Sequence, residues 1–273
     1  MNWILDKNKI FQSETDTEKI SYPKDGNDLS FDLEENGVWF KQRNDLILSL
    51  IKKYPFTDDF LDIGGGNGFQ AKEIKKTKIA GKVLLCEPGY DGCLFAKRRE
   101  VEYVYNGIFQ NFPFKDYNIG AVGLFDVVEH IENDTQFLNE LFDLLPVGAK
   151  VYITVPAMKM LWAEIDPLSG HYRRYNKKEA KRLASEVKFK LVESGYYFNF
   201  YVLPMFLLRV IPFRLGIRKG WDKIVAAEKN NHKSNKGFIS RLIENAHNRS
   251  IKGLLKGNKQ GIGTSMYMVF EKK

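Results

Sequence analysis

The chain has 273 residues, 44% hydrophobic and 14% aromatic, which suffices for one large domain with insertions or two small ones. Its two cysteines, Cys86 and Cys93, fit neither a disulfide framework nor a zinc ligand set, and read as reduced, buried thiols. The net charge of +8 is unevenly spread: residues 1–169 hold 19 Lys+Arg against 27 Asp+Glu and residues 170–273 hold 23 against 7, giving −8 and +16. A basic C-terminal third is expected either of a surface that meets nucleic acid or membrane, or of a solvated lysine-rich helical insertion.

Residues 1–36 are polar and without periodicity, and are expected to form an extension or lid. The stretch lacks the basic start, apolar run and small-residue cleavage site of a secretion signal, so a cytoplasmic location is expected. From Val38 to Tyr54, Phe40, Ile47, Leu50 and Ile51 recur at helical spacing, predicting an amphipathic helix that ends near Pro55. Short apolar runs then alternate with helical segments: "FLDI", "KVLLCE", "VEYVY", "AVGLFDVVE" and "AKVYITVP" as strands, "GFQAKEIKKT", "YDGCLFAKRRE" and "DTQFLNELFDLL" as helices. That alternation predicts an α/β fold with parallel strands joined by crossovers. Two last strands are expected at "FKLVESGYYF" and "TSMYMVFEK", with a helical, Lys- and Arg-rich insertion at about 200–262 between them. The organisation is read as an N-terminal helical cap followed by one domain over residues 37–273.

The stretch "FLDIGGGNGF" places Gly64, Gly65, Gly66, Asn67 and Gly68 directly after the first central strand. In open parallel sheets ligands sit beyond the carboxyl ends of the strands, and the helix that begins here points unpaired N–H groups at that position. G-x-G-x-x-G fails in both registers, since Phe69 or Gln70 stands where the third glycine belongs, and the phosphate-loop pattern is absent. Asp62 beside the loop would repel a pyrophosphate and suits a cationic ligand without phosphate. Glu87, at the tip of the second strand, is placed to accept hydrogen bonds from both hydroxyls of a ribose.

Read as D-x-G-x-G-x-G, "LDIGGGNG" resembles the first motif of class I S-adenosylmethionine-dependent methyltransferases. The resemblance implies a Rossmann-like doubly wound, mostly parallel seven-stranded sheet with an antiparallel last strand, S-adenosyl-L-methionine as cofactor and S-adenosyl-L-homocysteine as product. "NGIFQNFPF" resembles the adenine segment, with Ile108 in place of the usual acid, which leaves the ring to backbone groups of Phe109 with help from Gln110. "LFDVVEHIEND" resembles the fourth-strand motif of the quinone- and lipid-modifying members, which implies that Asp126 lines the methyl-transfer edge and that His130 is a candidate general base. "VWFKQRND" resembles a helix that closes over the cofactor, with Arg43 as a clamp for the methionine carboxylate and Trp39 or Phe40 as a cover. "SGHYRRYNKKE" resembles a segment after the fifth strand, where His171 is a second candidate base and Arg173, Arg174 and Tyr175 form the substrate-side wall. For His130 the alternative is a satisfied side chain that orients a loop, and for Arg173 and Arg174 it is pairing with acids of the acidic half of the chain.

The expected activity is methyl transfer to a small-molecule or lipid-linked acceptor, through a hydroxyl, with no metal required because four histidines and scattered acids offer no evident ligand set. An RNA-directed methyltransferase is the alternative, supported by the basic C-terminal third; no Pro-Pro pair and no cysteine after a proline are present to support nucleic acid as substrate. An NAD-dependent oxidoreductase or a non-catalytic cofactor-binding module are further alternatives. The apolar stretch 198–221 is broken by Pro204, Arg209, Pro212 and Arg214, so it is expected to pack on the protein's own sheet or to touch a membrane peripherally rather than to cross it.

Overall fold

The computed structural model describes residues 3–13, 31, 33–35, 37–220, 223, 238–258 and 260–273. Nine strands form one sheet: β1 (Trp3–Leu5), β2 (Phe11–Ser13), β3 (Asp59–Ile63), β4 (Val83–Glu87), β5 (Tyr103–Asn106), β6 (Ile119–Phe125), β7 (Lys150–Pro156), β8 (Lys190–Tyr197) and β9 (Ser265–Glu271), in the spatial order β1-β2-β5-β4-β3-β6-β7-β9-β8. The pairs from β2 through β5, β4, β3 and β6 to β7 are parallel, and β9 runs antiparallel between β7 and β8. The main helices are α1 (Val38–Lys53), α2 (Phe69–Thr77), α3 (Tyr90–Arg98), α4 (Asp134–Leu144), α5 (Lys177–Glu186) and α6 (Phe238–Leu255).

The central strands read as unbroken apolar runs because both faces of the sheet are covered. Alternate residues belong to different cores, as the period of two requires. Leu61, Ile63, Leu84, Cys86, Val122, Leu124, Val151 and Ile153 pack on the side of α4 and α5. Phe60, Val83, Leu85, Ala121, Phe125 and Tyr152 pack on the side of α1, α2 and α3. Cys86 and Cys93 are free, buried thiols on opposite faces. Asparagine side chains start two of the helices: Asn133 accepts from Gln136 N, and Asn176 from Lys178 N and Glu179 N.

All seven expected strands are present, with two more at the edge. The expected N-terminal helical cap is only partly described: residues 31 and 33–35 are helical, residues 14–30 lie outside the described residues, and the first part of the chain is strand. β1 and β2 form a hairpin that pairs in parallel with β5. Aromatic packing fixes it there, since Phe11 stacks on Tyr105 at 4.5 Å between ring centroids and Trp3 meets the same ring edge-on at 4.9 Å while donating from Nε1 to Asn111 O. The crossovers bring the carboxyl ends of β3, β4, β5 and β6 to one rim.

Candidate active site

At that rim the glycine loop makes a bare concave surface. Gly64 N–H donates to Cys86 O and Gly68 N–H to Gly65 O, and Gly64, Gly66 and Gly68 all have positive φ (66°, 49° and 73°), which only glycine adopts without strain. Two of these positions differ in what a side chain would meet. A Cβ at Gly68 would lie 2.8 Å from Ala96 Cβ on α3, whereas a Cβ at Gly66 would have nothing within 4 Å. Gly68 is therefore glycine for packing, and Gly66 borders open space.

Two carboxylates flank that space. Asp62 is fully buried in β3, and its side-chain oxygens have no hydrogen-bond partner of good geometry. Burial pushes its carboxyl up to about 8, against the pull of the Arg43 guanidinium. Glu87, at the end of β4, accepts from Gly66 N at 3.0 Å and from Gly89 N at 2.7 Å. Burial raises it as well, and these two backbone donors oppose the rise.

Arg43 projects from α1 onto the same rim. It pairs with Asp126, lies 4.9 Å from the centroid of the Trp39 ring, and is bonded by the side-chain oxygen of Gln70 in the amide orientation that satisfies both groups. Asp126, just past the end of β6, sits at φ 58° and also accepts from Thr154 Oγ1. Beyond it the chain turns through Val128–His130, a short 3-10 turn that carries the candidate base.

His130 and His171 meet edge-on, with ring centroids 4.8 Å apart. Burial, reinforced by His171, lowers His130 to about 4, so its ring is neutral at physiological pH. His171 has a partner on its far side: Nδ1 lies 3.0 Å from Asp166 Oδ1, and Asp166 is itself fixed by Arg174 Nε at 2.7 Å and Ala163 N at 2.8 Å. These contacts hold Asp166 ionised below the usual carboxylate range although burial opposes it. Next to His171, Tyr172, Arg173, Trp162, Lys159 and Arg214 line a groove of about 1240 Å³. Its lining does not include the glycine loop.

Residues 61–153 match the family model described as a methyltransferase domain. That segment reads as a methyltransferase domain. Among solved structures, a chain of the complex between the Haloferax volcanii Trm112 methyltransferase activator and a methyltransferase is 14% identical, with a TM-score of 0.58 over 93% of this chain and 99% of that one. Phosphoethanolamine N-methyltransferase 2 of Haemonchus contortus, in complex with S-adenosyl-L-methionine, is 15% identical at a TM-score of 0.54, and this chain spans 58% of its length. The plantazolicin methyltransferase BamL, in complex with a triazolic desmethylPZN analog and SAH, is 14% identical at a TM-score of 0.55 over 93% of this chain and 92% of that one. No curated protein matches the sequence.

The structure brings Arg43, Asp62, Gly64–Gly68, Glu87 and Asp126 around one rim, with Trp39 against Arg43. Two expectations need correction, those for Tyr175 and Gln110. Tyr175 is fully buried and donates to Asp134 Oδ2, so it is framework rather than substrate wall, whereas Arg174 lines the groove while paired with Asp166 and Ala157 O. The Phe109 ring packs at 4.7 Å on Phe137 in the core, which leaves only its backbone to face a ligand, and Gln110 is tied to Glu140 instead. Glu129, His130 and His171 each offer an atom within 4.8 Å of the others. Arg173, half-exposed, reaches Asp134 and Glu132 O at the groove.

The sequence reading missed Asp166, Glu34 and Arg99. Arg99 donates to Glu34, Glu35, Phe31 O and Asn67 O and lies over the Phe31 and Phe69 rings, joining residues 31–35 to the glycine loop. These partners are separated by 32 to 68 positions in the chain, so no local pattern announces them.

Proposed function

We propose that this methyltransferase domain binds S-adenosyl-L-methionine at the glycine loop and methylates a hydroxyl of a small-molecule or lipid-linked acceptor, releasing S-adenosyl-L-homocysteine. The observation that carries the reading is the pair of buried carboxylates, Asp62 and Glu87, on either side of the open space at Gly66. A cationic nucleoside without phosphate compensates both, whereas a dinucleotide pyrophosphate would add negative charge beside two buried acids.

When bound, the cofactor supplies a methyl group on a sulfonium leaving group. Asp62 would face its ammonium, and Glu87, held by two backbone N–H groups, would accept from the ribose hydroxyls through its remaining lone pairs. Arg43 would take the carboxylate as a two-pronged partner, and the Phe109 backbone would meet the adenine. His171, with Nδ1 held by Asp166, presents Nε2 as the base that removes the acceptor proton. His130, kept neutral by burial, narrows the site. Arg173 and the groove beside it would hold the body of the acceptor, whose reacting hydroxyl must reach the cofactor methyl.

Calorimetry with S-adenosylmethionine, S-adenosylhomocysteine and NAD tests the cofactor: binding of the first two and not the third is expected, and the reverse would overturn the reading. A second reading rests on the same cluster. Both oxygens of Glu129 and Nδ1 of His130 are buried without partners and lie beside His171, a two-histidine, one-carboxylate set suited to zinc or a similar divalent ion. Metal content of the purified protein, with and without His130→Ala, separates a metal site from a simple base.

A further inference from the structure

The stretch from Val202 to Arg214 is continuously helical, with a π-helical segment at Phe206–Val210, and it is apolar on two faces. Val202, Met205, Phe206 and Val210 pack inward on Leu161 and Ala163. Leu203, Leu207, Ile211 and Leu215, at i, i+4, i+8 and i+12, together with Leu208, point to solvent; Leu203, Leu208 and Leu215 are 65%, 68% and 73% exposed. A helix apolar on both faces belongs in a core or at an apolar boundary, and a contiguous stripe of large exposed residues marks a surface that something covers.

The charge around the stripe indicates what that is. From residue 199 to 220 the sequence has no Asp or Glu, and its charged residues are Arg209, Arg214, Arg218 and Lys219. Arg214, Arg218 and Lys219 are exposed, as is Lys159 on the neighbouring turn. Glu164 at this edge is occupied by the backbone N–H groups of Lys219 and Gly220, and of the acids along the groove Asp134 is paired with Arg173 and Arg182, and Glu179 and Glu186 with Arg182. Leucines flanked by arginine and lysine complement the headgroups and outer acyl chains of an anionic bilayer, and no helix among the described residues is long and apolar enough to cross one.

The position ties this surface to the acceptor side of the site. The inner face of the helix rests on the 158–163 turn that leads into Asp166, the partner of His171, and Arg214 of the helix, which donates to Met160 O, also lines the groove. We propose that residues 203–219 dock this protein on an anionic lipid surface, the helix lying in the plane of the interface with the groove mouth turned to the headgroups. The lipid-linked branch of the acceptor reading rests on this placement, whereas the docking itself requires no activity.

The experiment is flotation of the full chain with phosphatidylglycerol/phosphatidylcholine vesicles, with phosphatidylcholine alone, and without lipid, in the absence of cofactor. Flotation with the anionic vesicles is expected, falling at least about tenfold for Leu203→Glu/Leu208→Glu and about fivefold for each of Arg214→Gln and Arg218→Gln. Leu203 and Leu208 contribute nothing to the core, so circular dichroism and S-adenosylmethionine affinity of the double variant should match the parent, which separates loss of docking from loss of fold or of cofactor site. Absence of flotation, equal flotation with phosphatidylcholine alone, or equal flotation of the double variant would overturn the proposal. So would light scattering that shows a dimer abolished by Leu208→Glu in a protein that does not float, since the stripe would then belong to a second copy.

Discussion

Asp62 makes binding of a cationic cofactor a proton-coupled event. In the free protein its carboxyl is pushed up to about 8, so at pH 7 it is about nine-tenths protonated. An ammonium placed beside it restores the anion, and about 0.9 proton should leave on binding at pH 7. Because the ionised fraction rises from about 1% at pH 6 to about 9% at pH 7 and about 50% at pH 8, affinity should improve about ninefold over the first unit and about fivefold over the second, levelling above pH 9. Stability without ligand has the opposite slope. The native state keeps a proton that the unfolded chain releases above about 3.8, so this contribution is full at acid pH and is lost as pH rises through about 8. Calorimetry at pH 7 in phosphate and in Tris counts the proton, and thermal unfolding from pH 6 to 9 reads the slope. Asp62→Asn should abolish both effects, and comparison with it removes the titration of the ligand and of Glu87. No proton exchange attributable to Asp62, or an unchanged slope in the variant, would refute the reasoning.

The two loop glycines should fail differently: Gly68→Ala combines left-handed strain with the 2.8 Å clash on Ala96, costing about 2–5 kcal/mol and lowering Tm by roughly 4–10 °C, while Gly66→Ala costs about 1–2 kcal/mol and mainly weakens cofactor binding. Thermal shift and calorimetry on both variants check the split, which equal losses of affinity and stability in the two would contradict. His171→Ala should lower kcat by about 10²–10⁴-fold with S-adenosylmethionine affinity within about twofold of the parent, once an acceptor is in hand. Loss of cofactor affinity in that variant would instead give His171 a place in the cofactor rim.

The cofactor rim was legible in the sequence because its chemistry is local. A strand, four glycines and an acid about twenty residues further on describe one β-strand, turn and helix unit, and that unit folds as its residues dictate. The acceptor side was legible only in part. Crowding of His171, Arg173, Arg174 and Tyr175 signalled importance without saying which residues face the site. Tyr175 went to Asp134, 41 positions away, and Arg174 to Asp166, while Asp166 itself carried no pattern of its own. The edge hairpin was missed for a different reason: three-residue strands are too short for alternation to register, and what holds them is the Tyr105 ring, far along the chain. In residues 198–221 composition showed two apolar faces, but which of them found a neighbour depended on the 158–163 turn.

Glu87 arrives at the rim already spoken for, one oxygen anchoring the turn before α2 and the other the turn before α3. A nucleoside that leans on it meets a fixture whose orientation was decided during folding, so little freedom remains to be surrendered on arrival. The same wiring makes the position intolerant of trimming: a side chain one methylene shorter would slacken two loops together.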